Sequence, residues 1–212
     1  GQGYRNPALT AKMAATLQML SGNRFILGIG AGWRDDEYKA YGYEFPRPAI
    51  RFAELEEMIQ ICRLMWTQDA PTFTGKHFHI TEAAAPPKPE IVPPVCIGAY
   101  GEQIGLPMVG RLADMWNAST QGNLERWLVK RDIVRASAEK SGRNPSDIHI
   151  SLTVEKPLPN TDEESEKLRS ELQTMADHGV EHFVMDFGHP QSTEPVMRFV
   201  EPVMQPMKAA RK

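Results

Sequence analysis

The 212 residues carry 24 basic and 27 acidic side chains for a net charge of -3, with 24% charged and 41% apolar residues. The two signs are interspersed and the usage is that of an ordinary globular chain, which argues against a disordered polymer, a nucleic-acid-binding surface and a polybasic membrane anchor. Cys62 and Cys96 sit in apolar periodic segments, where a buried thiol is the usual occupant, so a disulfide framework is not expected and a reducing, cytoplasmic setting fits.

No apolar run approaches the roughly 18 residues that would cross a bilayer. The chain opens GQGYRNPALT, without methionine and almost directly into a helix, and is expected to begin at a cut end. Asn6 and Pro7 form an N-cap and a first-turn proline, and Leu9, Met13, Leu17 and Leu20 then repeat at helical spacing until Ser21, Gly22 and Asn23 stop the helix. Residues 25–29 are a continuous apolar run too short for a helix, as expected of a parallel strand covered on both faces. It ends in Gly28, Gly30 and Gly32.

Residues 47–66 mark a long helix through Ile50, Leu55, Met58, Ile59, Cys62, Leu64 and Met65, and TFTGKHFHI reads as a hairpin about Gly75 and Lys76. The proline-rich residues 86–94 form an extended connector to a second buried strand at 94–98. A helix to Leu112 follows, then a short strand at 114–118, a helix at 123–141 and a strand at 148–154. A helix at 161–178 has Thr161 and Glu164 as a capping box, and the last strand is 182–187. A final helix over 193–208 is expected to be broken by Pro195, Pro202 and Pro206.

Strict alternation of strand and helix through five strands demands a parallel α/β sheet. Because the first helix has no strand before it, the pattern fits a (β/α)8 barrel lacking its first three strands better than an open doubly wound sheet. The two outermost strands would then be unpaired edges, so self-association, as a homo-oligomer or an aggregate, is expected.

Gly28-Ile29-Gly30-Ala31-Gly32 has G-x-G-x-G spacing, which is neither the G-x-G-x-x-G dinucleotide fingerprint nor a P-loop, since Arg34, Asp35 and Asp36 follow. The glycines are read as backbone that must approach a flat or bulky partner. Asp35, Asp36 and Glu37 are first-turn acids complementing a helix dipole. A second small-residue strand end, Gly98-Ala99-Tyr100-Gly101-Glu102-Gln103, again opens a helix, where free backbone N–H groups can cradle a phosphate.

The strings YRNPALTAKMAATL, RFILGIGAGWRDDEYKAYGYEFP and PPVCIGAYGEQIGLPMVGRLADMWN resemble the central segments of the luciferase-like superfamily, and are closest in wording to its F420-dependent oxidoreductases. The resemblance is specific to about Asn117 and thins to pattern afterwards. It implies a single luciferase-like domain over 1–212, a partial (β/α)8 TIM barrel with strands 4 to 8 present, truncated at its N-terminus. It also implies a cofactor-facing turn at Gly30, Ala31 and Gly32 after the fourth strand, and a phosphate loop after the fifth at Gly98, Ala99, Tyr100, Gly101 and Glu102. Members usually carry a run of glycines where this chain has Ala99 and Tyr100, so Tyr100 is expected to crowd the phosphate or hydrogen-bond it.

Asn117, on the sixth strand, is a candidate polar contact to the cofactor, and Trp116 beside it is read as core. His77 and His79 share one face of the hairpin but lack a third ligand of suitable spacing, so no metal is expected. His178, His182 and His189 read as solvated or capping, with His189 placed to face a substrate. The expected activity is F420-dependent hydride transfer to or from a small organic substrate. The alternatives are an FMNH2-dependent monooxygenase using O2 and a non-catalytic, truncated flavin-binding fragment or subunit. In the two enzymatic readings the cofactor carries the chemistry, and no catalytic acid or base is assigned.

Overall fold

The computed structural model describes residues 1–189 and 192–210. After a 3-10 turn at Gln2–Tyr4 come α1 (Pro7–Leu20), β1 (Leu27–Ile29), α2 (Asp35–Ala40), α3 (Pro48–Thr67), β2 (Phe73–Thr74), β3 (His79–Ile80) and β4 (Val95–Gly98). Then follow α4 (Gly105–Leu112), β5 (Met115–Ser119), α5 (Leu124–Lys140), β6 (His149–Glu155), α6 (Asp162–Asp177), β7 (His182–Asp186), α7 (Glu194–Phe199) and α8 (Gln205–Ala209). The main sheet has the order β1-β4-β5-β6-β7, and β2-β3 is a separate antiparallel hairpin. The β1–β4 and β6–β7 pairs are parallel. Strands laid side by side in chain order, with no reversal, are the signature of consecutive barrel strands, because a doubly wound sheet must reverse at its switch point. The five-stranded sheet is the partial TIM barrel expected.

The chain forms two compact units, one of Gly1–Trp116 with Leu128–Ile148 and the other of Asn117–Trp127 with His149–Lys212. In the first, α1 lies on α3. Trp66 donates its indole N–H to the Ala11 carbonyl at 2.9 Å, and Leu55, Met58, Ile59, Ile61 and Cys62 are fully or almost fully buried. Burial of each large member contributes about 1.5–3 kcal/mol. The face of α1 turned to this core is Thr10, Ala11, Ala14, Ala15 and Gln18, whereas Leu9, Met13, Leu17 and Leu20 are exposed. Two stripes on this helix share the helical period; the small one is inward because alanines let two helix backbones approach closely.

Asp114 fixes where β4 and β5 begin. Its carboxylate accepts from the Val95 N–H and from Arg63, while its own N–H donates to the Val95 carbonyl. Gly110 of α4 is pressed against α5, where a Cβ would stand 2.6 Å from both Ser137 Cβ and the Val134 carbonyl. Glu57 of α3 holds the hairpin by accepting from the backbone N–H groups of Lys76, His77 and Phe78 at 2.7–2.9 Å.

The second unit packs β6 and β7 on α6 and the C-terminal helices through Leu158, Leu168, Leu172, Phe199 and Val203. Thr161 caps α6 through the Glu164 N–H, but Glu164 returns its carboxylate to the N–H of Asn160, one residue before the cap. The expected break in the last helix is a π-helical turn at Val200–Met204 instead. A wider turn around Pro202 absorbs the missing N–H without ending the helix. Pro195 and Pro206 occupy first-turn positions of α7 and α8, where proline is tolerated.

Candidate functional site

In β1 and β4 the register pairs Leu27 with Val95, Gly28 with Cys96 and Ile29 with Ile97. Side chains alternate across a strand, so Val95 and Ile97 are wholly buried on one face, while Gly28, Gly30, Cys96 and Gly98 share the other. A Cβ at Gly28 or Gly98 would meet nothing within 4 Å, and one at Gly30 would meet only the Gly98 carbonyl, at 3.2 Å. Two neighbouring strand ends thus present bare backbone as a floor that side chains would fill. Barrel interiors are ordinarily packed with branched side chains, so a floor of glycines leaves room for a flat group.

The turn after β1 is tied down from beneath. Gly30 accepts from the Gln2 N–H at 2.9 Å. The buried Arg51 donates Nε to the Ala31 carbonyl at 3.1 Å and reaches the carbonyls of Gly32 and Pro46, with its guanidinium 3.8 Å from the centre of the Phe45 ring. Gly32 has φ +78, and a Cβ there would stand 2.5 Å from the Tyr38 hydroxyl. Its missing side chain is therefore accounted for by packing and backbone conformation, whereas Gly28 and Gly98 are open. Asp35, Asp36 and Glu37 form the exposed first turn of α2, where Asp35 pairs with Lys39 and Asp36 with Arg34. Those partners hold both aspartates below the usual carboxylate range.

After β4 the loop is held by two groups that residue spacing alone did not single out for this purpose. Trp116, wholly buried, donates its indole N–H to the Ala99 carbonyl at 2.9 Å. Lys130 of α5, 2% exposed, donates to the Tyr100 carbonyl at 3.0 Å and to Glu102 Oε1 at 2.6 Å. Its ammonium lies 4.1 Å from the centre of the Tyr100 ring, so that ring covers a lysine. The N–H groups of Tyr100, Gly101 and Gln103 have no hydrogen-bond acceptor among the described residues, and a Cβ at Gly101 would meet nothing within 4 Å. These amides and the glycine floor fit a flat ring with a phosphate-bearing tail. A signal for Lys130 did exist in the sequence: it falls on the stripe Trp127, Val134, Ala138, every member of which is fully buried.

Asn117 lies in the second unit. Its side-chain amide donates to Ser151 Oγ and accepts from Thr153 Oγ1, both at 2.9 Å, and Ser151 Oγ meets His182 Nδ1 at 3.0 Å. Both ends of the Asn117 amide are thus engaged within the sheet, in a polar row that reading single strands could not reveal. A cavity of about 420 Å³ lies at the carboxyl ends of β5 and β6, walled by Leu152, Val154, Leu168 and Leu172, with Lys156 and Glu171 paired at its rim. Burial pushes the Cys96 thiol up to about 11 and that of Cys62 up to about 12, so neither is a thiolate nucleophile at neutral pH. His77 and His79 lie on the hairpin, in unit one.

The family model described as luciferase-like monooxygenase matches residues 2–202. The chain is 32% identical over 165 residues to the F420-dependent glucose-6-phosphate dehydrogenase of Amycolatopsis mediterranei, covering 74% of this chain and 49% of that protein. It is 33% identical over 196 residues to the phthiodiolone/phenolphthiodiolone dimycocerosates ketoreductase of Mycobacterium kansasii, covering 85% of this chain and 52% of that protein. In fold it is similar to an F420-dependent secondary alcohol dehydrogenase solved with an F420-acetone adduct, at a TM-score of 0.64 and 22% identity, over 94% of this chain and 68% of that one. The chain spans about half the length of the curated relatives it matches.

Proposed function

The chain belongs to the luciferase-like monooxygenase family, and from that premise we propose that it is part of an F420-dependent oxidoreductase that interconverts a small organic alcohol and its carbonyl. The observation that carries the cofactor reading is the glycine floor of Gly28, Gly30 and Gly98 beside the acceptor-less amides of Tyr100 and Gly101. The names of two relatives, a dehydrogenase and a ketoreductase, support the oxidation level of the substrate.

When bound, the deazaflavin supplies the hydride donor or acceptor. In this reading Gly30, Ala31, Gly32 and Gly98 line the ring's place, Arg51 keeps the turn's carbonyls away from it, and the backbone of Ala99, Tyr100, Gly101 and Glu102 holds the phosphate tail while the Glu102 carboxylate pairs with Lys130. A phosphate at these amides gains charge-assisted hydrogen bonds and the favourable end of the α4 dipole. No residue is assigned as a proton donor or acceptor.

Equilibrium binding of F420 and of FMN to the chain tests the reading. F420 is expected to bind more tightly, and Gly98→Leu, which places a side chain on the open floor, to weaken it at least ten-fold while leaving the fold intact. Tight FMN binding with no F420 binding would replace the reading with an FMN-dependent monooxygenase; binding of neither would favour a non-catalytic subunit.

A further inference from the structure

We propose that Lys130 is a positioning residue that makes the loop at 99–102 select a phosphate-bearing cofactor over the same ring without phosphate. This rests on the reading that the loop holds a phosphate tail. A lysine that is 2% exposed has given up its hydration, and its ammonium finds the Tyr100 carbonyl, the Glu102 carboxylate and the face of the Tyr100 ring. With its ammonium buried and already engaged by these three groups, it is read as acting on the loop and not as a phosphate ligand itself.

Its effect passes through the peptide. In a trans peptide the C=O and the N–H of the following residue point in opposite directions. Lys130 draws the Tyr100 carbonyl inward and so turns the Gly101 N–H outward; Trp116 draws in the Ala99 carbonyl and turns out the Tyr100 N–H. Two successive N–H groups facing one way make an anion-binding concavity. A cation on the carbonyl also polarises the amide and strengthens its N–H as a donor. Lys130 further neutralises Glu102, whose half-exposed carboxylate would otherwise repel a phosphate.

The test compares Lys130→Met and Glu102→Gln with the unmodified chain, using F420 against its phosphate-free deazaflavin core and FMN against riboflavin. Lys130→Met is expected to weaken the phosphate-bearing ligands about ten-fold, a charge-assisted contact's worth, and the phosphate-free ones less than two-fold. Glu102→Gln, which leaves Lys130 on the Tyr100 carbonyl, is expected to retain the phosphate preference. Equal weakening of both forms in Lys130→Met, or none, would overturn the proposal.

A second measurement needs no variant. Titration of the unmodified chain with inorganic phosphate is expected to shift the Gly101 and Tyr100 amide resonances most, and phosphate-induced shifts that are largest elsewhere in the chain would overturn the proposal. An unmodified chain that binds the ring but is indifferent to phosphate would instead remove the reading of the loop on which the proposal rests.

Discussion

Glycine is the residue on which the site turns, and its positions here answer to different physics. At Gly32 a side chain would meet both a left-handed backbone and the Tyr38 hydroxyl, so Gly32→Ala is expected to cost roughly 1–3 kcal/mol of stability, measured by denaturant unfolding. At Gly98 the space is open, so substitution there acts on binding and not on folding. The spacing of the glycines pointed to close approach but could not separate these causes, because Tyr38 reaches Gly32 only once α2 has formed. The cysteines add a reactivity prediction. With the half-buried Cys96 thiol pushed up to about 11, alkylation of the folded chain at pH 7–8 should be slower than that of the denatured chain, and equally rapid labelling of the two would show that Cys96 is more exposed than described.

Elements were legible wherever periodicity and capping agreed: α3, α6 and all five sheet strands lie within a few residues of where the sequence placed them. The inward face of α1 was not, since its apolar stripe at Leu9, Met13 and Leu17 and its alanine stripe have the same period. Ala14→Leu is accordingly expected to destabilise by about 1–3 kcal/mol through overpacking, whereas Leu17→Glu should stay within about 0.5 kcal/mol, as surface changes do; thermal unfolding of the two variants separates them. The hairpin carries a pH dependence. Burial alone would raise the Glu57 carboxyl, but the N–H groups of His77, Phe78 and Lys76 outweigh it and hold it below its ordinary value of 4.5. Because the folded form has the lower pKa, the stabilisation is full above pH 4.5 and is lost as pH falls through the folded value. Glu57→Gln should flatten that part of the acid stability profile.

For the whole molecule, β1 and β7 end the sheet order, and unpaired strand edges template further pairing. Expressed as these 212 residues, the chain is expected to self-associate in size-exclusion chromatography with light scattering; a monodisperse, cooperatively unfolding monomer would contradict this. The sequence by itself determined the α/β alternation, the parallel sheet, the two small-residue strand ends and the family, because each is written in local periodicity or in contiguous strings. Only the tertiary structure decided that Lys130, Trp116 and Arg51 hold those strand ends, that Asn117 is bound to Ser151 and Thr153, and which face of α1 is buried. These depend on side chains 17 to 36 positions apart in the chain, or on the choice between two faces of equal period. Neither is set until the elements pack.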